Sequence, residues 1–414
     1  MAQVKVRADR IQVQPCKLKI KALSLLAMIF GPIFLIYLTM RCEKNQCILF
    51  QLPLVVPTHL SAYFSPLAFG IVIGFILLMF LLSSATVPDK EEDLPSPSTG
   101  LLALLFTSLI LLALAYFKSD YISIVHGEYL RMLVTATVIC VFISMALFVL
   151  NILDIIPNNS SGCRCQAVCA LSFFYGSNTY VRLGHVEMKY FFYVHVGLVA
   201  WALLDQIIVW NVIAEQSMTG PVAFLAITQL LYIGHMLLYE RFIKAAPFVK
   251  NEGLGFFWLM RVLMYQPFLH SLPLYYAATI EAELSQPALL ANCVFFLFGF
   301  VVYISALHQR DNFINDNRNV RKMKAFPAQN GKRLLASGYW GIVQKPDYLG
   351  YVIMWTSWTL VCGFSSLSAL VLLVMLGTVY MWLQKSSQFK QIEFGAAWNR
   401  YINHVPKQII PHVF

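Results

Sequence analysis

The segment 62–84 reads AYFSPLAFGIVIGFILLMFLLSS and contains no Asp, Glu, Lys or Arg. As a helix rising about 1.5 Å per residue it is about 35 Å long, enough for the roughly 30 Å hydrocarbon core of a bilayer. An uncharged apolar stretch of more than about 18 residues is typical of a transmembrane helix. The segment therefore predicts one membrane span.

Comparable apolar segments occur along the whole chain, so the sequence predicts ten membrane helices. Of the 414 residues, 59% are hydrophobic and 12% are charged, against about 25% charged in soluble domains. The expected fold class is an all-α, polytopic membrane protein, and a water-soluble fold is excluded. The other nine predicted helices are 22–38, 100–117, 130–153, 190–214, 221–240, 254–276, 286–307, 349–364 and 366–383.

Basic residues gather in the connections between these helices, which explains the net charge of +10 without nucleic acid as a partner. Positively charged connections remain in the cytosol. Residues 1–21 form a short basic segment, and the basic connection 308–348 follows an even number of predicted spans. Both termini are therefore expected in the cytosol. No small-residue cleavage site follows 22–38, so we predict a membrane helix there and not a signal peptide.

Two features of the loop after the fourth predicted helix invite other interpretations. Cys163, Cys165 and Cys169 are close in sequence, but no matching Cys/His pair stands nearby, so we predict free thiols and no metal site. The sequons at Asn158 and Asn159 lie on the side predicted to be cytosolic. We therefore expect neither to be glycosylated.

Charged and histidine side chains within the apolar segments are candidates for function, because polar groups in lipid are costly. A simpler interpretation is that those near helix ends extend to the interface. Arg261 and His235 fall well inside apolar runs and are least easily explained in that way. The full set is Asp205, His235, Glu240, Arg241, Arg261, His270, Glu281 and Glu283.

Residues 334–350, LLASGYWGIVQKPDYLG, combine glycines, aromatic residues and a lysine just before a predicted helix. Glycine permits close backbone approach, aromatic faces stack on planar rings, and lysine suits phosphates. The pattern is compatible with a nucleotide site, although interfacial belts contain the same residue types. No Gly-x-Gly-x-x-Gly or Walker loop occurs, so a soluble-type dinucleotide domain is excluded.

This run resembles the signature of the sterol C14 and C7 reductases, and the closing segment 394–411, FGAAWNRYINHVPKQIIP, resembles the C-terminus of that family. The likeness covers roughly residues 100–414. It is greatest toward the Δ14-sterol reductases and the membrane portion of the lamin B receptor. The resemblance implies one transmembrane domain over 22–414, with an NADPH and sterol pocket formed by about 221–414.

The resemblance also implies a chemistry and a location. A buried acid would protonate an electron-rich sterol C=C bond, and NADPH would deliver hydride to the resulting cation. The expected partners are a sterol and the lipid bilayer, in the endoplasmic reticulum or the inner nuclear membrane. The resemblance assigns cofactor binding to Arg310, Leu335, Trp340, Asp347, Tyr348 and Tyr401 and leaves the catalytic residues unassigned.

Several positions depart from the family pattern where charge and proton transfer are needed. Ile314 replaces an arginine, Ser386 and Ser387 replace acids, and Tyr351 stands where the family has an aspartate. A Gly-Asp pair of the seventh span reads Arg261-Val262 here, so a base stands in place of a buried acid. The positions that shape the fold are retained, so the sequence predicts a conserved scaffold with low or absent reductase activity.

Three functional hypotheses therefore remain. The first is an NADPH-dependent Δ14-sterol reductase with a rearranged acid and phosphate site. The second is a non-catalytic relative that binds sterol or serves as a membrane scaffold. A remote third is a membrane methyltransferase of the isoprenylcysteine type, which shares parts of the C-terminal pattern but has fewer spans. The oligomeric state is left open.

Overall fold

The structure is a computed structural model that describes residues 30–410 except 41, 44–45, 48–56, 58, 86–97, 118, 154, 156–169, 177, 316–322, 329–330 and 364–365. A helix occurs at each of the ten predicted segments. In chain order these helices are α1 Phe30–Met40, α2 Pro66–Ala85, α3 Thr99–Phe117, α4 Tyr129–Ile152, α5 Met188–Ala214, α6 Gly220–Leu238, α7 256–279, α8 Gln286–Asn315, α9 Pro346–Leu360 and α10 Ser366–Phe394.

Seven of these helices are long and apolar enough to cross a membrane, judged by length and composition within the described residues. The other three are α1, α7 and α9. Helix α9 has 15 residues, and α7 contains Pro267, Pro273 and Arg261 in its apolar sequence. The prediction of an all-α polytopic membrane protein is confirmed.

Short helices and hairpins connect the long helices. The α-helices are Ser119–Gly127, Ala170–Tyr175, Glu240–Lys244, Pro247–Asn251, Tyr339–Ile342 and Ala396–His404, with a 3₁₀ turn at Leu60–Ala62. Three antiparallel two-stranded hairpins pair β1 Cys42–Glu43 with β2 Gln46–Cys47, β3 Arg182–Leu183 with β4 Val186–Glu187, and β5 Ala325–Pro327 with β6 Arg333–Leu335.

Two glycines allow α8 and α9 to pack with their backbones almost touching. A Cβ atom at Gly350 would lie 2.6 Å from the carbonyl oxygen of Gly299 and from the backbone nitrogen of Tyr303. That distance is below any normal carbon contact, so a larger residue would push the helices apart. This crossing places the end of α8 beside the start of α9, where the candidate site begins.

Two helices widen locally into π-helical turns, Phe192–Leu198 in α5 and Arg261–Leu269 in α7. The two stretches pack against each other, and a Cβ atom at Gly197 would lie 2.4 Å from Gln266 Oε1. Such turns are rare and occur often at functional sites, because they redirect side chains relative to a regular helix. Here they direct Tyr193 and Arg261 toward the same interior space.

The C-terminal segment anchors the loop that precedes α9. The backbone nitrogens of Gln344 and Lys345 donate to the carbonyl oxygens of Lys407 and Gln408 at 2.9 and 3.0 Å. The Tyr401 hydroxyl donates to the carbonyl oxygen of Trp340 at 2.8 Å. These bonds hold the loop in one place against α8 and α10.

Some sequence predictions concern residues that the structure does not describe. They are the basic segment 1–21, the sequons at 158–159 and the cysteine group at 163–169.

Candidate functional site

A cavity of about 650 Å³ lies among α1, α5, α6, α7, α8, α9 and α10. Its size is within the range of about 300–1,000 Å³ that is usual for small-molecule sites. The start of α7, the end of α8, the start of α9 and the last third of α10 contribute its charged side chains. Aromatic and aliphatic residues, most of them from the middle of the bundle, form the remainder. We call these two parts the charged end and the aromatic end.

The aromatic end is built around His270 of α7. His270 Nδ1 lies 2.7 Å from the carbonyl oxygen of Tyr265, and Nε2 lies 3.1 Å from the hydroxyl of Tyr351. A carbonyl oxygen only accepts, so Nδ1 carries the proton in the neutral ring and Nε2 accepts from Tyr351. The Tyr351 proton is therefore directed at the imidazole. The rings of Trp201 and Tyr232 also line this end.

Arg261 belongs to the first charged group, which we call the Arg261 cluster and which comprises Glu252, Arg261 and Lys385. Arg261 Nη1 lies 3.1 Å from Glu252 Oε2, and Lys385 Nζ lies 3.5 Å from Glu252 Oε1. Two cations thus share one carboxylate. All three residues line the cavity.

Lys345 belongs to the second charged group, the Lys345 cluster, which comprises Arg310, Lys345, Asp347 and Lys390. Lys345 Nζ donates to Ser386 Oγ at 2.5 Å. Arg310 and Lys390 both approach the Trp340 ring, at 5.8 and 5.2 Å from its centroid.

The Lys345 cluster has three cations and one carboxylate. Burial lowers the pKa of Lys345, Arg310 lowers it further, and Asp347 acts in the opposite direction. Asp347 Oδ1 is buried without a hydrogen-bond partner among the described residues. The cluster therefore holds more basic than acidic side chains in a poorly solvated place, where an anionic ligand would stabilise their charged forms.

A family model described as the "Ergosterol biosynthesis ERG4/ERG24 family" matches residues 20–414. The chain belongs to this family.

Several curated proteins are similar to the chain over most of its length. "Delta(14)-sterol reductase TM7SF2" of Mus musculus is 26% identical over 404 residues, covering 94% of this chain and 95% of that protein. "Delta(14)-sterol reductase" of Arabidopsis thaliana is 26% identical, covering 76% and 85%. "Delta(14)-sterol reductase LBR" of Gallus gallus is 25% identical over 92% of this chain. The chain spans 62% of the length of that chicken protein.

Three of the residues that the family resemblance assigns to the cofactor line the cavity. They are Arg310, Asp347 and Tyr348. Tyr348 stands between the two charged clusters. Lys345 Nζ lies 5.1 Å from the Tyr348 ring centroid. The Trp382 ring, which contacts Arg261, lies 6.2 Å from the Tyr348 ring.

The structure places the other three in packed clusters next to the cavity. Trp340 is 3% exposed, packs with Leu335 and Phe313, and donates from Nε1 to the carbonyl oxygen of Ala306 at 3.0 Å. Tyr401 is fully buried and stacks on Trp398 with 5.3 Å between ring centroids. These contacts support the loop before α9, and the assignment of all three to a cofactor remains a prediction.

Of the charged and histidine residues singled out within apolar segments, Arg261 and His270 line the cavity. Asp205 and His235 lie elsewhere, and their side-chain polar atoms have no hydrogen-bond partner among the described residues. Glu240 accepts hydrogen bonds from Tyr190 and, at 2.7 Å, from the backbone nitrogen of Gly100. Glu281 and Glu283 are exposed beyond the end of α7 and Arg241 pairs with Asp311, so these three fit the simpler interpretation.

Sequence reasoning missed Glu252, Lys385 and Lys390. The helix predicted at 366–383 continues to Phe394 in the structure, and Lys385 and Lys390 lie on that continuation. A charged residue on the continuation of an apolar helix is the signal that would have drawn attention to them. Glu252 follows a short helix, and its pairing with α7 and α10 has no signal in the sequence.

Proposed function

We propose that the chain is a Δ14-sterol reductase-like protein that binds a sterol in the cavity, holds NADPH at the Lys345 cluster, and has low or absent reductase activity. The observation that carries this proposal is one cavity with surplus cations at one end and an aromatic wall at the other. The names of the relatives support the substrate class. The expected location is the endoplasmic reticulum or the inner nuclear membrane.

The residues present suit the phosphates of a dinucleotide. Arg310, Lys345 and Asp347 line the cavity, and Lys390 lies against the Trp340 ring outside the lining. Ile314, where the family has an arginine, is 63% exposed near the end of α8. Lys345, which lines the cavity, would offset the lost pairing at Ile314 in part. Bound NADPH would supply hydride, and these residues would orient it.

The aromatic end suits a rigid apolar ring system. Trp201, Tyr232, His270 and Tyr351 line it with flat faces, and Leu198 and Leu269 add aliphatic surface. Burial of such a ligand releases about 25 cal/mol per Å² of apolar surface removed from water. A sterol would gain most of its binding free energy at this end.

Proton delivery is the step for which the cavity is poorly equipped. Among the described residues that line it, the carboxylates are Glu252 and Asp347, and both lie among cations at the charged end. Ser386 accepts a hydrogen bond from Lys345 at a position where the family has an acid. The Tyr351 hydroxyl donates its hydrogen bond to His270 Nε2. Loss of general acid catalysis lowers rates by roughly 10² to 10⁴.

The decisive experiment is complementation of a cell that lacks Δ14-sterol reductase, scored by sterol composition. We expect little or no reduced sterol, while the purified chain binds a Δ14 sterol and NADPH. Full restoration of the reduced sterol would contradict the low activity. Sterol binding without NADPH binding would favour a non-catalytic sterol-binding or scaffold protein, and absence of both would contradict the whole proposal.

A further inference from the structure

Arg261 occupies an unusual place in a membrane protein. It is 9% exposed, and its guanidinium carbon lies 5.5, 5.3 and 5.5 Å from the ring centroids of Phe248, Phe257 and Trp382. Aromatic faces attract a cation but do not accept its hydrogen bonds fully. The guanidinium is thus surrounded by rings on several sides, which leave part of its hydrogen-bonding capacity for a ligand.

The hydrogen-bonding capacity of Arg261 is only partly used. Nη1 pairs with Glu252, whereas Nη2 is buried and has no hydrogen-bond partner among the described residues. Lys385 Nζ shares the same carboxylate and lies 4.3 Å from the Phe257 ring centroid. A buried cation without full pairing is costly. The Arg261 cluster therefore lacks one negative charge.

The anion that would complete the Arg261 cluster is distinct from the phosphate that the Lys345 cluster favours. The rings of Trp382 and Tyr348 lie between the two clusters, since Trp382 contacts Arg261 and Tyr348 contacts Lys345. The aromatic end of the same cavity is open to a ring system that carries an acceptor of its own.

We propose that the amphiphile bound in the cavity carries an anionic group, a sulfate or a carboxylate on a sterol skeleton, which Arg261 and Lys385 bind. This inference rests on the proposed sterol binding and specifies the class of sterol. A sulfate or carboxylate accepts two parallel hydrogen bonds from a guanidinium, and such charge-assisted bonds are stronger than those to a hydroxyl. A neutral 3-hydroxysterol would leave the surplus charge uncompensated.

The test measures binding of a Δ14 3-hydroxysterol and of its 3-sulfate ester to the purified full chain in lipid nanodiscs. We expect the sulfate to bind at least about tenfold more tightly than the alcohol. Arg261→Gln should remove most of that preference, because the sulfate loses its guanidinium partner. The matched control is Arg241→Gln, since Arg241 pairs with Asp311 outside the cavity lining; it should leave the preference unchanged.

A second variant, Lys385→Gln, serves if Arg261→Gln does not fold. The Lys385 variant retains the Arg261–Glu252 pair and removes one basic group from the cluster. It should also reduce the preference. Equal binding of alcohol and sulfate by the wild-type chain would overturn this inference and leave sterol binding intact. A preference that survives both substitutions, or an Arg261→Gln defect confined to NADP⁺ binding, would also overturn it. Absence of binding by either sterol would contradict the proposed function itself.

Discussion

The two ends of the cavity differ in how far the protein satisfies its own polar groups. At the aromatic end, both ring nitrogens of His270 have partners, Tyr265 and Tyr351. At the charged end, Arg261, Lys345 and their neighbouring cations outnumber Glu252 and Asp347. The histidine at the aromatic end is fully paired within the protein. The basic groups at the charged end are balanced only when an anion is present.

One end of the cavity thus depends mainly on packing, and the other depends mainly on charge. The aromatic end and the glycine-mediated helix contacts depend on volume and close packing. The charged end contains Arg261 and Ser386, where the family resemblance predicts departures from the usual residues. A site can therefore keep its ligand-shaped space while the groups that act on the ligand change.

The largest effect that we expect concerns Trp340, which belongs to the packed support of the site. Trp340→Ala removes a buried ring and its bond to Ala306, and should lower the free energy of unfolding by about 3–5 kcal/mol. Tyr348→Ala should instead weaken nucleotide binding by about 1–2 kcal/mol, with a smaller loss of stability. Thermal unfolding in detergent and NADPH titration measure the two quantities. Equal effects of both substitutions on nucleotide affinity at unchanged stability would place Trp340 in the pocket.

Removal of a cation from the charged end should have the next largest effect. Lys345→Met should weaken NADPH binding by about 1.5–3 kcal/mol, roughly ten- to a hundredfold, because a charge-assisted hydrogen bond is lost. Lys250→Met is the control, since Lys250 is exposed outside the cavity lining. Equal affinity of the Lys345 variant and the wild type would place the phosphates elsewhere.

The same lysine predicts a pH dependence. Because burial lowers the pKa of Lys345, its charge is present at low pH and is lost as pH rises through the lowered pKa. An ordinary lysine titrates near its pKa of 10.5. NADPH affinity should therefore begin to fall at a lower pH than that. Lys345→Arg should remove this decline, because arginine remains charged. A decline of the same size in the arginine variant would assign the titration to another group.

The smallest effect should come from the aromatic end. Tyr351→Phe removes one hydrogen bond to His270 and should lower the free energy of unfolding by about 1–2 kcal/mol. Sterol affinity should change by less than about threefold, since the phenyl ring retains the apolar surface. A large loss of sterol affinity at unchanged stability would show that the hydroxyl contacts the ligand, in contrast to the bond with His270.

Most of the fold was predictable because membrane helices depend on local properties. The run 62–84 and its counterparts are long and apolar wherever they occur, and the structure has a helix at each. The predicted helix ends were less accurate where charged residues interrupt the apolar sequence. Helix α10 continues past the predicted end at 383 to Phe394, because Lys385 and Lys390 find partners inside the protein.

The sequence by itself determined that this is an all-α membrane protein of the sterol reductase type, since hydrophobic length and short motifs are properties of contiguous residues. Tertiary structure alone decided which charges meet. The Glu252–Lys385 ion pair joins residues that are far apart in the chain, and so does the bond between His270 and Tyr351. Such contacts depend on how helices cross, and the crossings follow from the packing of distant glycines and π-helical turns. For that reason the sequence indicated a nucleotide motif, and only the folded chain revealed that Arg261 Nη2 has no hydrogen-bond partner among the described residues.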